Sequence, residues 1–148
     1  MKKLFLFLSL LLTVSLFAQQ TDTLSISTPI NADFPDYEFL KTKMKLDDVF
    51  VQADTAPEYP GGKSAFQRNF AEKMDIISIK DNKINTRVYF IIEKNGYVRY
   101  VSALGDDKKH AQAAELAIRR MFVRWKPAMI NNQPVRFLYT FPLSLKKY

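Results

Sequence analysis

Apolar residues along this chain fall into two periods. Phe66, Phe70 and Met74 recur every fourth position and share one face of a helix predicted over about residues 63–74. Ser64 is its candidate cap. From residue 84 to 93 the period drops to two: Val88, Phe90 and Ile92 alternate with Tyr89 and Ile91. Asn95-Gly96 favours positive φ at both central positions of a hairpin turn, so residues 97–104 return as the second strand. Apolar residues stand on both faces of both strands, which calls for cover on one side and partial cover on the other. Gly105-Asp106-Asp107 ends the hairpin.

A second helix is predicted over residues 108–124. Its apolar stripe is Ala111, Ala114, Ile118, Met121 and Trp125, spaced 3, 4, 3 and 4 apart. Pro127 stops it. The last strand alternates Val135, Phe137, Tyr139 and Phe141 and is closed by Pro142. Val49-Phe50-Val51 suits a short strand, and Pro57 and Pro60-Gly61-Gly62 then break the backbone. The order helix, strand, strand, helix, strand reads as an α+β domain: two helices packed on a small three-stranded antiparallel sheet.

The N-terminus adds a destination. Lys2-Lys3 precedes an apolar run over residues 4–17, and Ala18 offers a small residue for cleavage. That is the layout of a signal peptide over residues 1–18, shorter than the roughly 20 apolar residues of a spanning helix. Residues 19–47 are rich in Thr, Ser and Asp and lack a long period, which reads as an acidic leader, mostly disordered or loosely docked. The domain is expected over residues 48–148. The expected location is the periplasm, with an inner-membrane anchor facing the periplasm as the alternative if the segment stays uncleaved. No cysteine is present, so neither disulfides nor a lipid-anchored cysteine can hold the protein.

Charge divides the chain. Residues 19–60 carry eight acids against three lysines, a net −5, while residues 61–148 carry 17 cations against seven acids, a net +10. Such a charge split suits an anionic membrane surface or an acidic protein, or serves only solubility and loose attraction between the two halves; export argues against nucleic acid. Arg119, Arg120, Arg124, Lys126 and Arg136 are candidates for one basic cluster, read either as a solvated face or as a site for an anion or acidic partner.

Candidate chemistry is sparse. Gly62-Lys63-Ser64 matches the end of a phosphate-binding loop, but the Gly required five residues earlier is Pro57. His110 is the single histidine and reads as an exposed helix-end residue without metal partners. Asp106-Asp107 suits helix capping, through Asp107, better than acid–base chemistry. No enzyme, cofactor or metal is expected.

Four pieces in register carry a resemblance to a known family. Pro57-Glu58-Tyr59-Pro60-Gly61-Gly62 leads into the first helix. Residues 87–98 give a strand, an Asn-Gly turn and a second strand. Trp125-Lys126-Pro127 is followed by a polar turn and Pro134-Val135, and Phe141-Pro142-Leu143-Ser144-Leu145 ends the domain. Together, over about residues 49–148, they resemble the C-terminal domain of TonB in its exported single-domain variety. The chain departs from that pattern at Thr86, Val123 and Ala128, and lacks a Tyr-Pro after the first helix.

The resemblance implies a protein-binding module that supports transmembrane transport. Its partner would be an outer-membrane TonB-dependent receptor or another envelope protein. Inner-membrane motor proteins would be engaged only if the N-terminal segment is not cleaved, and a homodimer is an option. Partner binding would be by β-strand addition to the last strand, at Arg136, Phe137, Leu138, Tyr139, Thr140 and Phe141. The alternative is a structural or scaffold protein of the envelope with no role in transport.

Overall fold

Residues 88–92 have no exposed surface, which requires a packed layer on each face of the strand that carries them. The computed structural model, which describes residues 27–74 and 83–146, supplies both layers. The expected signal peptide at 1–18 and the first part of the leader, 19–26, lie outside the described residues. In chain order the elements are β1 (Thr28–Pro29), α1 (Tyr37–Lys43), β2 (Val49–Gln52), α2 (Gly62–Lys73) and β3 (Lys83–Ile92). There follow β4 (Val98–Gly105), α3 (Lys108–Arg119), β5 (Ala128–Ile130) and β6 (Gln133–Lys146).

The architecture is α+β with three helices and a six-stranded mixed sheet, which corrects the expected two helices on a three-stranded antiparallel sheet. The order is β1-β2-β6-β3-β4, with β5 paired to β6 off this path. β2 runs parallel to β6, and the other pairings are antiparallel. Of the three further strands, β2 is the short strand expected at Val49-Phe50-Val51, while β1 and β5 are two and three residues long. Runs that short carry no readable period.

One face of the sheet holds the larger core. Phe66 and Phe70 from α2, Ala111, Ala114 and Ile118 from α3, and the alternate residues Val88, Phe90 and Ile92 of β3 meet there. Trp125 sits among them, with ring centroids 5.0 Å from Tyr139, 5.1 Å from Tyr59 and 5.4 Å from Phe66.

The other face is covered by the leader. Residues 19–47 were expected to be mostly disordered or loosely docked, yet α1 places Leu40 firmly against Tyr89, Ile91, Val49 and Leu138, with Met44 beside it. A polar latch joins this layer to the sheet. The Tyr89 hydroxyl donates to Asp36 Oδ2, and Arg87 donates to the same oxygen at 3.1 Å. Burial, reinforced by that hydrogen bond, pushes the Tyr89 hydroxyl pKa up to about 12.

Two local expectations change. The Asn95-Gly96 turn was expected to place both residues at positive φ, but only Gly96 is there, at φ 83. Gly96 N–H donates to Glu93 C=O and Glu93 N–H to Tyr97 C=O, which makes a three-residue loop with a glycine bulge. α3 ends at Arg119 and not near residue 124. Residues 121–125 leave the helix because Trp125 N–H donates to Gly96 C=O at 2.9 Å. A Cβ on Gly96 would lie 2.1 Å from the Trp125 oxygen, so the absence of a side chain permits this contact. Trp125 is core, as expected, but an extended segment delivers it.

His110, expected to be exposed, is 5% exposed. Asp107 caps α3 by accepting from the N–H groups of Lys109 and His110, at 2.8 and 3.0 Å. This first turn lies over the sheet, and His110 Nδ1 is 2.8 Å from the buried Thr86 hydroxyl of β3. Desolvation pulls the His110 pKa below its ordinary 6.5, against the opposing charge of Asp107. The unfolded chain therefore binds this proton more readily than the folded one. Stability from neutral His110 is fully present above pH 6.5 and is lost as pH falls from there through the folded-state pKa. Proton NMR of the single imidazole should give a midpoint below 6.5, and His110→Gln should flatten this acid limb of the stability profile. A midpoint at or above 6.5 contradicts the buried, neutral assignment.

Candidate functional site: the open edges of the sheet

Strand addition needs a row of backbone N–H and C=O groups without partners. The expected site, Arg136 to Phe141, lies in β6 but is not uniformly an edge. Along one side, residues 137–146 pair with β3. Along the other, Arg136 and Phe137 pair with Val49 and Phe50 of β2, and residues 133–135 pair with β5. Among the described residues, β3 is the only strand that pairs with residues 138–146. The open part of β6 thus begins at Leu138.

Side chains in this stretch face different ways. Leu138 is buried in the leader-side core, whereas Tyr139 and Phe141 pack on the larger core. Burial raises the Tyr139 hydroxyl pKa above its usual value. Thr140 is exposed and Phe137 is half-buried.

Arg136 was expected to bias partner choice, but its guanidinium is committed inside the protein. Its Nε lies 3.0 Å and one terminal nitrogen 3.3 Å from the two carboxylate oxygens of Glu93, a bidentate pair. The remaining donors reach the backbone oxygens of Asp47 and Lys45. One side chain therefore ties β6 to the hairpin turn and to the leader.

The other candidate cations also have structural partners. Arg124 donates to Asn95 C=O at 2.8 Å, Arg120 to Lys73 C=O at 3.4 Å, and Lys126 pairs with Glu58 at 2.9 Å. Arg119 turns to the backbone of β4. These partners lie on separate elements, so the structure does not gather the five cations into one anion site.

A second open edge was not foreseen. β4 ends the sheet order. Tyr100, at φ 52, forms a bulge that moves Val101 and Ala103 onto the larger core while Tyr100 packs on the leader side. On this strand, Ala103 N–H donates to Glu115 Oε1 at 2.9 Å and Val101 C=O accepts from Arg119 at 2.6 Å. Two side chains of α3, themselves 3.9 Å apart, stand where the carbonyl and amide of a partner strand would stand. The four-residue spacing of Glu115 and Arg119 was visible in the sequence; that β4 is a terminal strand was not.

Among the described residues, no group of three or more His, Asp or Glu is placed to hold a metal ion, and no helix is long and apolar enough to cross a membrane. No family model matches the chain, and no curated protein or solved structure matches it.

The Arg136–Glu93 pair is largely buried, its side chains 16% and 18% exposed. Removing one partner strands the other charge, so Arg136→Ala should lower stability by roughly 2–4 kcal/mol. Thr140→Ala, on the exposed side of the same strand, should change it by less than about 0.5 kcal/mol. Urea denaturation distinguishes the two. Equal, small effects would mean that Arg136 holds nothing together.

Proposed function

We propose that this protein is a periplasmic docking module of the TonB C-terminal type, which captures an extended segment of an outer-membrane receptor or another envelope protein by β-strand addition. The observation that carries the reading is the asymmetry of β6. It is paired with β3 across residues 137–146, but on its other side it holds β2 only at Arg136 and Phe137. From Leu138 onward one row of backbone groups is available to a partner strand.

The strand is rigid enough for the task. Tyr139 and Phe141 are clamped in the aromatic core, with centroids 5.0 Å from Trp125 and 5.2 Å from Phe66 respectively. An edge fixed in this way loses little conformational freedom when a peptide docks, which favours affinity. Main-chain bonds supply the energy, and exposed positions such as Thr140 are left to set sequence preference.

Support of transport is the role this reading assigns, and loss of receptor-dependent uptake on deleting the protein separates it from a purely architectural role in the envelope. The direct test is a titration of the 15N-labelled protein with peptides from the periplasm-facing segments of outer-membrane receptors. Amide shifts concentrated in residues 138–144, with slowed exchange there, are the expected result. Peptides that leave these amides unmoved would refute docking at β6.

A further inference from the structure

A few large apolar residues are exposed on this protein. Among the described residues they are Tyr97, Leu104, Leu116 and Phe122, at 54%, 39%, 39% and 94% exposed. Tyr97 precedes β4, Leu104 lies in it, Leu116 lies on α3, and Phe122 stands in the segment after α3. Leu104 and Leu116 thus lie in β4 and α3, and Tyr97 and Phe122 flank those elements. Tyr97 and Phe122 line one groove along β4 and Leu104 lines another, while Leu116 lines neither; apolar exposure within a groove marks an interaction surface.

Two grooves follow the same strand. One, of about 530 Å³, lies between α1 and α3 and is lined by residues 101–105, with Phe39, Lys43, Lys108 and Arg119 among its walls. The other, of about 350 Å³, is lined by residues 97–101 with Phe122 and Arg119. Val101 and Arg119 belong to both, so the grooves meet at the arginine that caps the Val101 carbonyl. Together they track the length of β4, about 26 Å for eight extended residues.

Their charge is one-sided. The wider groove has Lys43, Lys108 and Arg119 against a single carboxylate, Glu115, and the narrower one adds Arg99. Glu115 and Arg119 blunt the edge with one hydrogen bond each, and an incoming strand offers a backbone carbonyl and amide in their place. Their side chains are 29% and 53% exposed, so each has room to rotate away.

From the open edge, the apolar exposure and the cationic walls together, we infer that β4 is a second docking edge, which binds an extended acidic segment of a partner protein. The incoming strand replaces the Glu115 and Arg119 side chains on the backbone of Ala103 and Val101. Its side chains on the α3 face lie against Phe122 and Lys108, and those on the leader face lie against Leu104 and Lys43. This site is independent of the open stretch of β6, on the other side of β3 in the sheet.

The test uses the 15N-labelled full chain and two blocked octapeptides, one alternating Glu with Val and one alternating Lys with Val. The Glu peptide should shift amides across residues 98–105 and weaken markedly as salt is raised. The Lys peptide should leave them unmoved. Lys43→Glu with Lys108→Glu, both at exposed positions, should weaken binding about tenfold or more. Glu115→Ala frees the Ala103 N–H and removes the one carboxylate, and should tighten binding threefold to tenfold, about 1 kcal/mol. Shifts confined to residues 138–144 would overturn the assignment to β4 while leaving the reading of β6 intact. Equal binding of both peptides, or β4 shifts that track protein concentration without peptide, would overturn it by showing a different occupant.

Discussion

Val88, Phe90 and Ile92 lie on one face of β3 and Tyr89 and Ile91 on the other, and all five are fully buried. A strand with that pattern cannot stand in a sheet covered by helices on one side only. Fully burying a side chain of this size contributes about 1.5–3 kcal/mol. The leader-side core, built from Leu40, Met44, Val49, Tyr89, Ile91 and Leu138, is therefore on the order of 10 kcal/mol. Whole domains are stable by about 5–15 kcal/mol. The cover supplied by α1 and β2 is thus a condition of folding, and polar ties reinforce it: Tyr89 and Arg87 to Asp36, and Arg136 to the backbone of Asp47 and Lys45.

With both faces covered, what remains for partners is the perimeter. Among the described residues the sheet is open, ending at β1 and β4, and β6 outruns its short neighbour β2. These edges differ in chemistry. The stretch of β6 beyond Phe137 is framed by a rigid aromatic core, whereas β4 is a bulged strand held by two α3 side chains, with cationic walls around it. Natural sheets blunt exposed edges with charged side chains and bulges to prevent indiscriminate pairing. Here the same devices leave backbone groups that a better-matched strand can reclaim.

Much of this architecture was legible in local pattern. The α2 face of Phe66 and Phe70, the hairpin around Gly96, the Asp107 cap and the alternation of Phe137, Tyr139 and Phe141 all follow from spacing and turn chemistry. Apolar residues on both faces of β3 also announced a second layer, but nothing in the spacing of Leu40 and Met44 identified the leader as that layer. Its helix is seven residues long and its strand two, below the length at which a period can be read. Long-range contacts were beyond local reasoning as well. Gly96 draws Trp125 out of a helix that its 3, 4, 3, 4 spacing supported, and Arg136 is consumed by Glu93, 43 residues away in the chain. His110 looked exposed at a helix end because the sequence could not show Thr86 beneath it.

The central claim, that the leader is a structural layer of the domain, is tested most directly by cutting it away. Urea unfolding of a fragment beginning at Asp48 should be compared with that of a chain beginning at Ser27. Without the leader, Tyr89, Ile91 and Leu138 lose their cover, so the shorter fragment should show no cooperative transition. A cooperative transition at the same urea midpoint in both would contradict the account.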